Sequence, residues 1–223
     1  MKTLFIHAKV DVDLTLPKEE IAKLPKRIGL VTTIQHLHKL NEVKKQFPEG
    51  IFAGQVLGCR ADTAKLIADK VDAFLFIGTG VFHPIEVALK TKKPVYCWDP
   101  VARHLSKLDE AMLKQYENVK KKNITKFLHA DKIGILISTK LGQNDNKINS
   151  FSEELKMKKA LELKSRCDKE YYIFAFDTLS INDLENFPFI DCWVNTACPR
   201  ITDEKKGIVN IDDVLALKEE IVK

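Results

Sequence analysis

The chain has 223 residues, 45% of them hydrophobic and 30% charged, with a formal net charge of +5, the balance of a globular chain that buries a real core as one large or two small domains rather than staying disordered. The lysines are spread along helical stretches instead of forming one block, so they read as solvated faces with a mild preference for acidic or phosphate-bearing partners, and not as a nucleic-acid-binding tail. No segment nears the roughly 18 apolar residues of a membrane span, and the apolar run near the amino terminus is too short for a signal sequence, which points to a cytoplasmic protein.

Residues 3–8 read as a strand and residues 11–17 as an extended tail entering a short helix, with no complete unit before them. From Lys26 the pattern becomes regular. A buried strand is expected over 28–32, then a helix over 34–47 in which Ile34, Leu37, Leu40, Val43 and Phe47 recur at helical spacing until Pro48-Glu49-Gly50 stops it. Further strands are expected over 51–57, 73–77 and 94–98, separated by helices over 62–70 and 84–90. A long lysine-rich helical stretch over 105–128 leaves this unit. A second unit then follows, with strands over 131–138, 171–176 and 191–195 and helices over 147–167, 181–184 and from 211 onward. Strands alternating with helices imply two α/β units with mainly parallel sheets. The boundaries expected are 1–24 for the opening piece, 25–130 for the first unit and 131–223 for the second.

Ligands collect at the carboxyl ends of strands in open α/β sheets, so the residues placed there matter most. Gly54-Gln55-Val56-Leu57-Gly58-Cys59-Arg60 runs from an apolar strand to a cysteine and a cation where a helix should begin, and Trp193-Val194-Asn195-Thr196-Ala197-Cys198-Pro199-Arg200 repeats that order in the second unit. A cysteine after a strand is more often a small buried hydrophobe than a ligand, and that reading stands beside the functional one. Five cysteines (59, 97, 167, 192 and 198) in a chain without an export signal argue for free thiols or metal ligands over a disulfide framework. Cys97 and Cys192 sit inside apolar strands and read as core, whereas Cys167 closes a helix. His36 and His38 flank Leu37 and face different sides of a helix, so they read as ordinary polar positions. Gly78-Thr79-Gly80 follows a strand and precedes His83-Pro84, which lets backbone N–H groups approach an anion or simply makes a tight turn. Thr139 to Gln143 forms another polar strand end. There is no C-x-x-C, so local spacing alone does not establish zinc or a cluster, and the lack of a G-x-S-x-G elbow and of a P-loop removes the commonest hydrolase and NTPase readings.

These stretches resemble the archaeal and eukaryotic diphthamide synthase family, the 2-(3-amino-3-carboxypropyl)histidine synthases. The resemblance rests on Ile28-Gly29-Leu30-Val31-Thr32-Thr33-Ile34-Gln35-His36, on Gly54 to Cys59, on Phe76 to Pro84, on Ser138-Thr139-Lys140 with Gly142-Gln143, and above all on Val194 to Ile201. It implies a non-standard radical enzyme in which a 4Fe-4S cluster cleaves S-adenosylmethionine. The resulting 3-amino-3-carboxypropyl group goes to an imidazole carbon of a histidine of translation elongation factor 2, the first step of diphthamide synthesis. In that family three similar α/β domains each give one cysteine to the cluster. The resemblance makes Cys59 the second-domain ligand and Cys198 the third, and it places Gly78, Gly80, His83, Gln143 and Arg200 around the cofactor, with no catalytic residue assigned. The first domain and its cysteine have no counterpart, and residues 1–16 match only its last strand and tail.

Three readings follow. The first is an enzyme portion whose third ligand comes from a separate first-domain polypeptide or a homodimer mate, with the two units meeting at a shared cleft and with no direct nucleic-acid or membrane partner. The second is a non-catalytic homologue or subunit that binds S-adenosylmethionine, a partner synthase or the elongation factor without a cluster. The third is a paralogue that retains only the fold.

Overall fold

The computed structural model describes residues 6–57, 60–139, 152–166, 168–199, 201 and 207–217. Two compact units result, residues 1–114 and 115–223.

In the first unit, residues 6–16 are irregular and lead into a short helix, α1 (Lys18–Ile21). Strand β1 (Ile28–Thr32) is buried along its whole length, as its continuous apolar run requires of a central parallel strand. The expected helix over 34–47 is shorter: a 3-10 turn at Leu37–Lys39 runs into α2 (Leu40–Lys44). Strand β2 (Ile51–Gln55), helix α3 (Asp62–Lys65), a 3-10 turn (Ala68–Lys70), strand β3 (Ala73–Ile77), helix α4 (Phe82–Thr91) and strand β4 (Val95–Asp99) follow. Strand β5 (His104–Lys107) pairs antiparallel with β4. It falls where the sequence reading has the start of a helix, because three of its four residues are exposed and leave no apolar alternation to read. The sheet order is β2-β1-β3-β4-β5, with all pairs but the last parallel.

Helix α5 (Glu110–His129) leads into the second unit, made of β6 (Lys132–Ser138), α6 (Ser152–Arg166), β7 (Glu170–Phe176), a 3-10 segment (Ile181–Asn186), β8 (Cys192–Asn195), β9 (Ile208–Asn210) and α7 (Ile211–Leu215). Its strands run β7-β6-β8-β9, all parallel. Three-residue β9 is too short to carry a periodic signal, and its pairing with β8 is what makes it a strand.

The two units repeat one plan, a second-first-third-fourth strand order, and they repeat its details. Gly29 of β1 lies beside Phe74 of β3, and Gly134 of β6 beside Trp193 of β8. A Cβ added at Gly29 would stand 2.6 Å from the Phe74 ring, and one at Gly134 would stand 2.4 Å from the Trp193 ring. Each glycine therefore lets an aromatic ring lie flat across the first strand. Asp72 N donates to Arg27 O at 2.8 Å, and Asp191 N donates to Lys132 O at 2.9 Å, closing the start of the third strand in the same way.

On one face of the first sheet, Ile28, Leu30, Leu75, Ile77 and Trp98 pack with Leu40, Val43 and Phe47, and with Leu14 and Leu16 from the irregular opening stretch. That stretch is pinned by Gln46, whose side chain accepts from Leu16 N at 2.9 Å and donates to Leu16 O at 2.8 Å. Arg103 reaches Asp13 at 3.3 Å and lies over the Trp98 ring, and Lys39 pairs with Asp11. In the second unit Ile133, Ile135, Ile137, Val194 and Val209 bury one face beneath Phe127, Ala160, Leu163 and Val214. Leu136, Trp193 and Ile208 bury the other against Leu184, Ile190 and partly buried aromatics. Among the described residues no helix is long and apolar enough to cross a membrane. Of the strand expected over 3–8, residues 6–8 are irregular and the rest lie outside the described residues, as do 140–151 of the polar loop and helix start.

Candidate functional site

A sheet in which the second strand lies to one side of the first and the third to the other has a topological switch between strands one and three. The loops leaving their carboxyl ends diverge there and open a crevice. In the second unit the switch lies between β6 and β8, and the β8 loop carries Cys198. The start of the loop is tied to β6 and to the end of β8. Thr196 donates to Leu136 O through both its backbone N, at 3.1 Å, and its hydroxyl, at 2.8 Å. Buried Asn195 accepts from Ala197 N at 2.9 Å and donates to Cys198 O, also at 2.9 Å. Cys198 is half-buried, in contrast to Cys97 and Cys192, which are buried.

That contrast decides which thiols suit a metal. The ligating species is the thiolate, and desolvation disfavours it, pushing the Cys97 thiol up to about 12 and Cys192 up to about 11. Both are core residues, as their place within strands predicted. Cys59, Gln143 and Arg200 lie outside the described residues, as does Cys167. Leu57 and Arg60 on either side of 58–59 exchange backbone hydrogen bonds of 2.9 and 3.1 Å. They follow β2, which is the edge strand of its sheet, whereas β8 is an interior one. Cys59 and Cys198 thus follow different strands of the repeated plan, and the counterpart of Cys198 in the first unit is the Gly78–Gly80 turn.

That turn closes the β1/β3 switch of the first unit. Gly78 has φ 151° and Gly80 φ 76°, backbone open chiefly to glycine. Nothing lies within 4 Å of a Cβ built on Gly80, so its backbone is open to an approaching group. His83 stacks on Phe76 with ring centroids 5.8 Å apart and meets Phe82 edge-on. On the β1 side, Thr32 donates its hydroxyl to Ile77 O at 2.6 Å. His36, read from sequence as an ordinary polar position, is instead buried, and its imidazole carbon Cδ2 would lie 3.8 Å from a Cβ on Gly78. Burial holds its imidazole below the usual range, His38 adds to this, and Asp99 opposes it. Nδ1 of His36, Oε1 of Gln35 and Nε1 of Trp98 are buried with no hydrogen-bond partner. No spacing rule marks these residues; the signal is their position at the carboxyl ends of the first and fourth strands, Gln35 and His36 just beyond β1 and Trp98 near the end of β4, which only the strand order exposes.

The protein is thus a duplicated α/β scaffold of flavodoxin-like strand order, with its glycine turn and half-buried cysteine on the loops after the third strands. Comparison with known proteins gives this scaffold a family. The model of the diphthamide synthesis proteins matches residues 1–206, and the chain belongs to that family. The 2-(3-amino-3-carboxypropyl)histidine synthase of Pyrococcus horikoshii is 30% identical over an alignment covering 98% of this chain and 67% of that protein. The synthase of the same name from Methanocaldococcus jannaschii is 30% identical, with 99% of this chain and 59% of that protein covered. The crystal structure of Dph2 from Pyrococcus horikoshii with a 4Fe-4S cluster matches with a TM-score of 0.71 and 29% identity, over 92% of this chain and 59% of that one. The chain therefore spans about three fifths to two thirds of these relatives' length.

Proposed function

We propose that this chain takes part in transferring the 3-amino-3-carboxypropyl group of S-adenosylmethionine to a histidine ring carbon of translation elongation factor 2. Family membership supports this, and the observation that carries it to particular residues is the contrast among thiols: Cys198 is half-buried on a strand-end loop while Cys97 and Cys192 are buried. In this reading Cys59 and Cys198 hold a 4Fe-4S cluster, and the third thiolate comes from a further cysteine-bearing domain or from a second copy of the chain. Residues 25–130 and 131–223 then correspond to the family's second and third domains, with 1–24 the end of the first. A cluster with three cysteine ligands would offer an open iron and would lend the sulfonium one electron, recovered when the imidazole regains its aromaticity. Overall, one carbon–sulfur bond breaks, methylthioadenosine leaves, a carbon–carbon bond forms to the imidazole, and the ring loses a proton.

The chain's own part is to bind and orient. The open backbone at Gly80, in a turn anchored by Gly78 N donating to Trp98 O at 3.0 Å, with His83 following it in the chain, suits the polar amino-acid end of the cofactor, and the family resemblance adds Gln143 to that set. Arg200 suits its carboxylate, which a guanidinium binds through two parallel hydrogen bonds. Anaerobic reconstitution with iron and sulfide, with and without a cysteine-bearing partner, tests the reading. Iron–sulfur absorption should appear and weaken on changing Cys59 or Cys198 to Ala. Cluster formation indifferent to both substitutions would defeat it.

A further inference from the structure

We propose that Asn195 is a positioning residue for Cys198, its buried amide fixing the backbone from which the thiol is presented. The proposal rests on the reading of Cys198 as a cluster ligand and adds a residue to it.

Asn195 is the last residue of β8, paired with Leu136 of β6 on one side and Asn210 of β9 on the other. It is 1% exposed, one of few buried polar side chains among the described residues. A buried amide costs stability unless its hydrogen bonds are made. Here Oδ1 accepts from Ala197 N at 2.9 Å, and Nδ2 donates to Cys198 O at 2.9 Å and to Asn210 Oδ1 at 3.0 Å. Two of the three bonds are thus spent on the residues immediately before and at the cysteine. Ile201 N donates to the same Cys198 carbonyl at 3.1 Å, so that oxygen is held from both sides. The chain turns back on itself at 197–198 because one side chain ties both ends of the turn to the end of β8, and Asn210 holds that side chain from the neighbouring strand. Aspartate would lack both N–H donors and would face the Cys198 and Asn210 oxygens with negative charge. Alanine would leave Ala197 N without its partner and Cys198 O with one donor fewer.

Thiol alkylation in the metal-free chain reads this directly. Iodoacetamide is applied anaerobically at one fixed pH, and labelling at Cys198 and at Cys59 is followed by mass spectrometry, with Cys59 as reference within the same molecule. Asn195→Ala should raise the Cys198-to-Cys59 labelling ratio at least three-fold, because the loop then samples open conformations. Asn195→Ser, whose hydroxyl can still accept from Ala197 N but cannot span to Cys198 O, should fall in between. It decides the matter if the alanine variant does not fold. Asn210→Ala loses a hydrogen bond to the same amide but leaves both ties to the loop, so its ratio should stay within two-fold of the parent. A ratio unchanged in the Asn195 variants overturns the proposal, and so does a ratio that rises equally in Asn210→Ala, which would make the effect one of general loosening. Iron retention in Cys198→Ala separately tests the ligand reading, so the two can fail independently.

Discussion

At the scale of single residues, the buried groups of the first unit carry a pH dependence. The His36 imidazole is held neutral by burial, with His38 adding to the effect. Above about pH 6.5 the folded and unfolded states both hold it neutral, and it contributes no slope. Below that the unfolded chain takes up a proton that the folded chain refuses, so stability falls with pH until the folded-state value is reached. His36→Asn should therefore lose less melting temperature than the parent between pH 7.5 and pH 5.5; equal losses would show that His36 contributes nothing. A second residue-scale expectation concerns Arg200, where Lys keeps the charge but not the paired hydrogen bonds. Calorimetry should show weaker S-adenosylmethionine binding for Arg200→Lys in the reconstituted protein, and an unchanged affinity would remove Arg200 from the site.

At the scale of elements, the contact between the first and third strands is made twice with the same device, and it has little slack. A methyl group on Gly29 would overlap Phe74 and one on Gly134 would overlap Trp193, each from a strand whose backbone is locked on both sides. Overpacking of this kind costs about 1–3 kcal/mol. Gly29→Ala and Gly134→Ala should each lower the urea midpoint accordingly, and pairing Gly29→Ala with Phe74→Leu should recover part of the loss. Full stability in the single variants would mean that the rings move aside freely. The opening strap is the other sensitive element. Gln46 takes the place of a strand partner for Leu16, so Gln46→Ala strands two backbone groups, at a cost of about 1–3 kcal/mol. Truncating buried Leu14 to Ala should cost about 2–5 kcal/mol, which chemical denaturation would register. Wild-type stability in both variants would show that the strap is not part of the first unit's core.

At the scale of the whole molecule, the controlling fact is the supply of thiols. Cys97 and Cys192 are committed to the sheets by burial, and their thiols resist ionisation. Of the described cysteines this leaves Cys198, with Cys59 and Cys167 outside the described residues. An iron lacking a protein thiolate is open to solvent and oxidation, so the isolated chain should hold a reconstituted cluster poorly in air. Mixing with a chain that donates a third cysteine should lengthen the lifetime of the 4Fe-4S absorption several-fold. A cluster that is equally long-lived in the isolated chain would show that no outside ligand is needed. For Cys59 and Cys198 to serve one cluster they must also reach each other, which linking by a short bifunctional thiol reagent would test.

Much of this was legible in the linear chain. Continuous apolar runs define β1, β3 and β6 almost to the residue, since a strand buried on both faces must be apolar throughout. The same logic marks Cys97 and Cys192 as core, and the motifs from Ile28 to Ile201 carry the family. Edge strand β5 and three-residue β9 were not legible, because hydrogen bonding to a neighbour, and not side-chain pattern, makes them strands. Nor could local spacing show that Cys59 and Cys198 follow different strands of the repeat, that His36 is buried, or that Leu14 and Leu16 belong to the first unit's core. Each of these depends on which strand lies beside which. Sequence by itself determined the period of the elements and the identity of the chemistry-bearing residues, because both are local properties of the chain. The tertiary structure alone decided which of those residues are buried, tied down or left open, since burial and hydrogen bonding arise from contacts between segments that are distant in sequence.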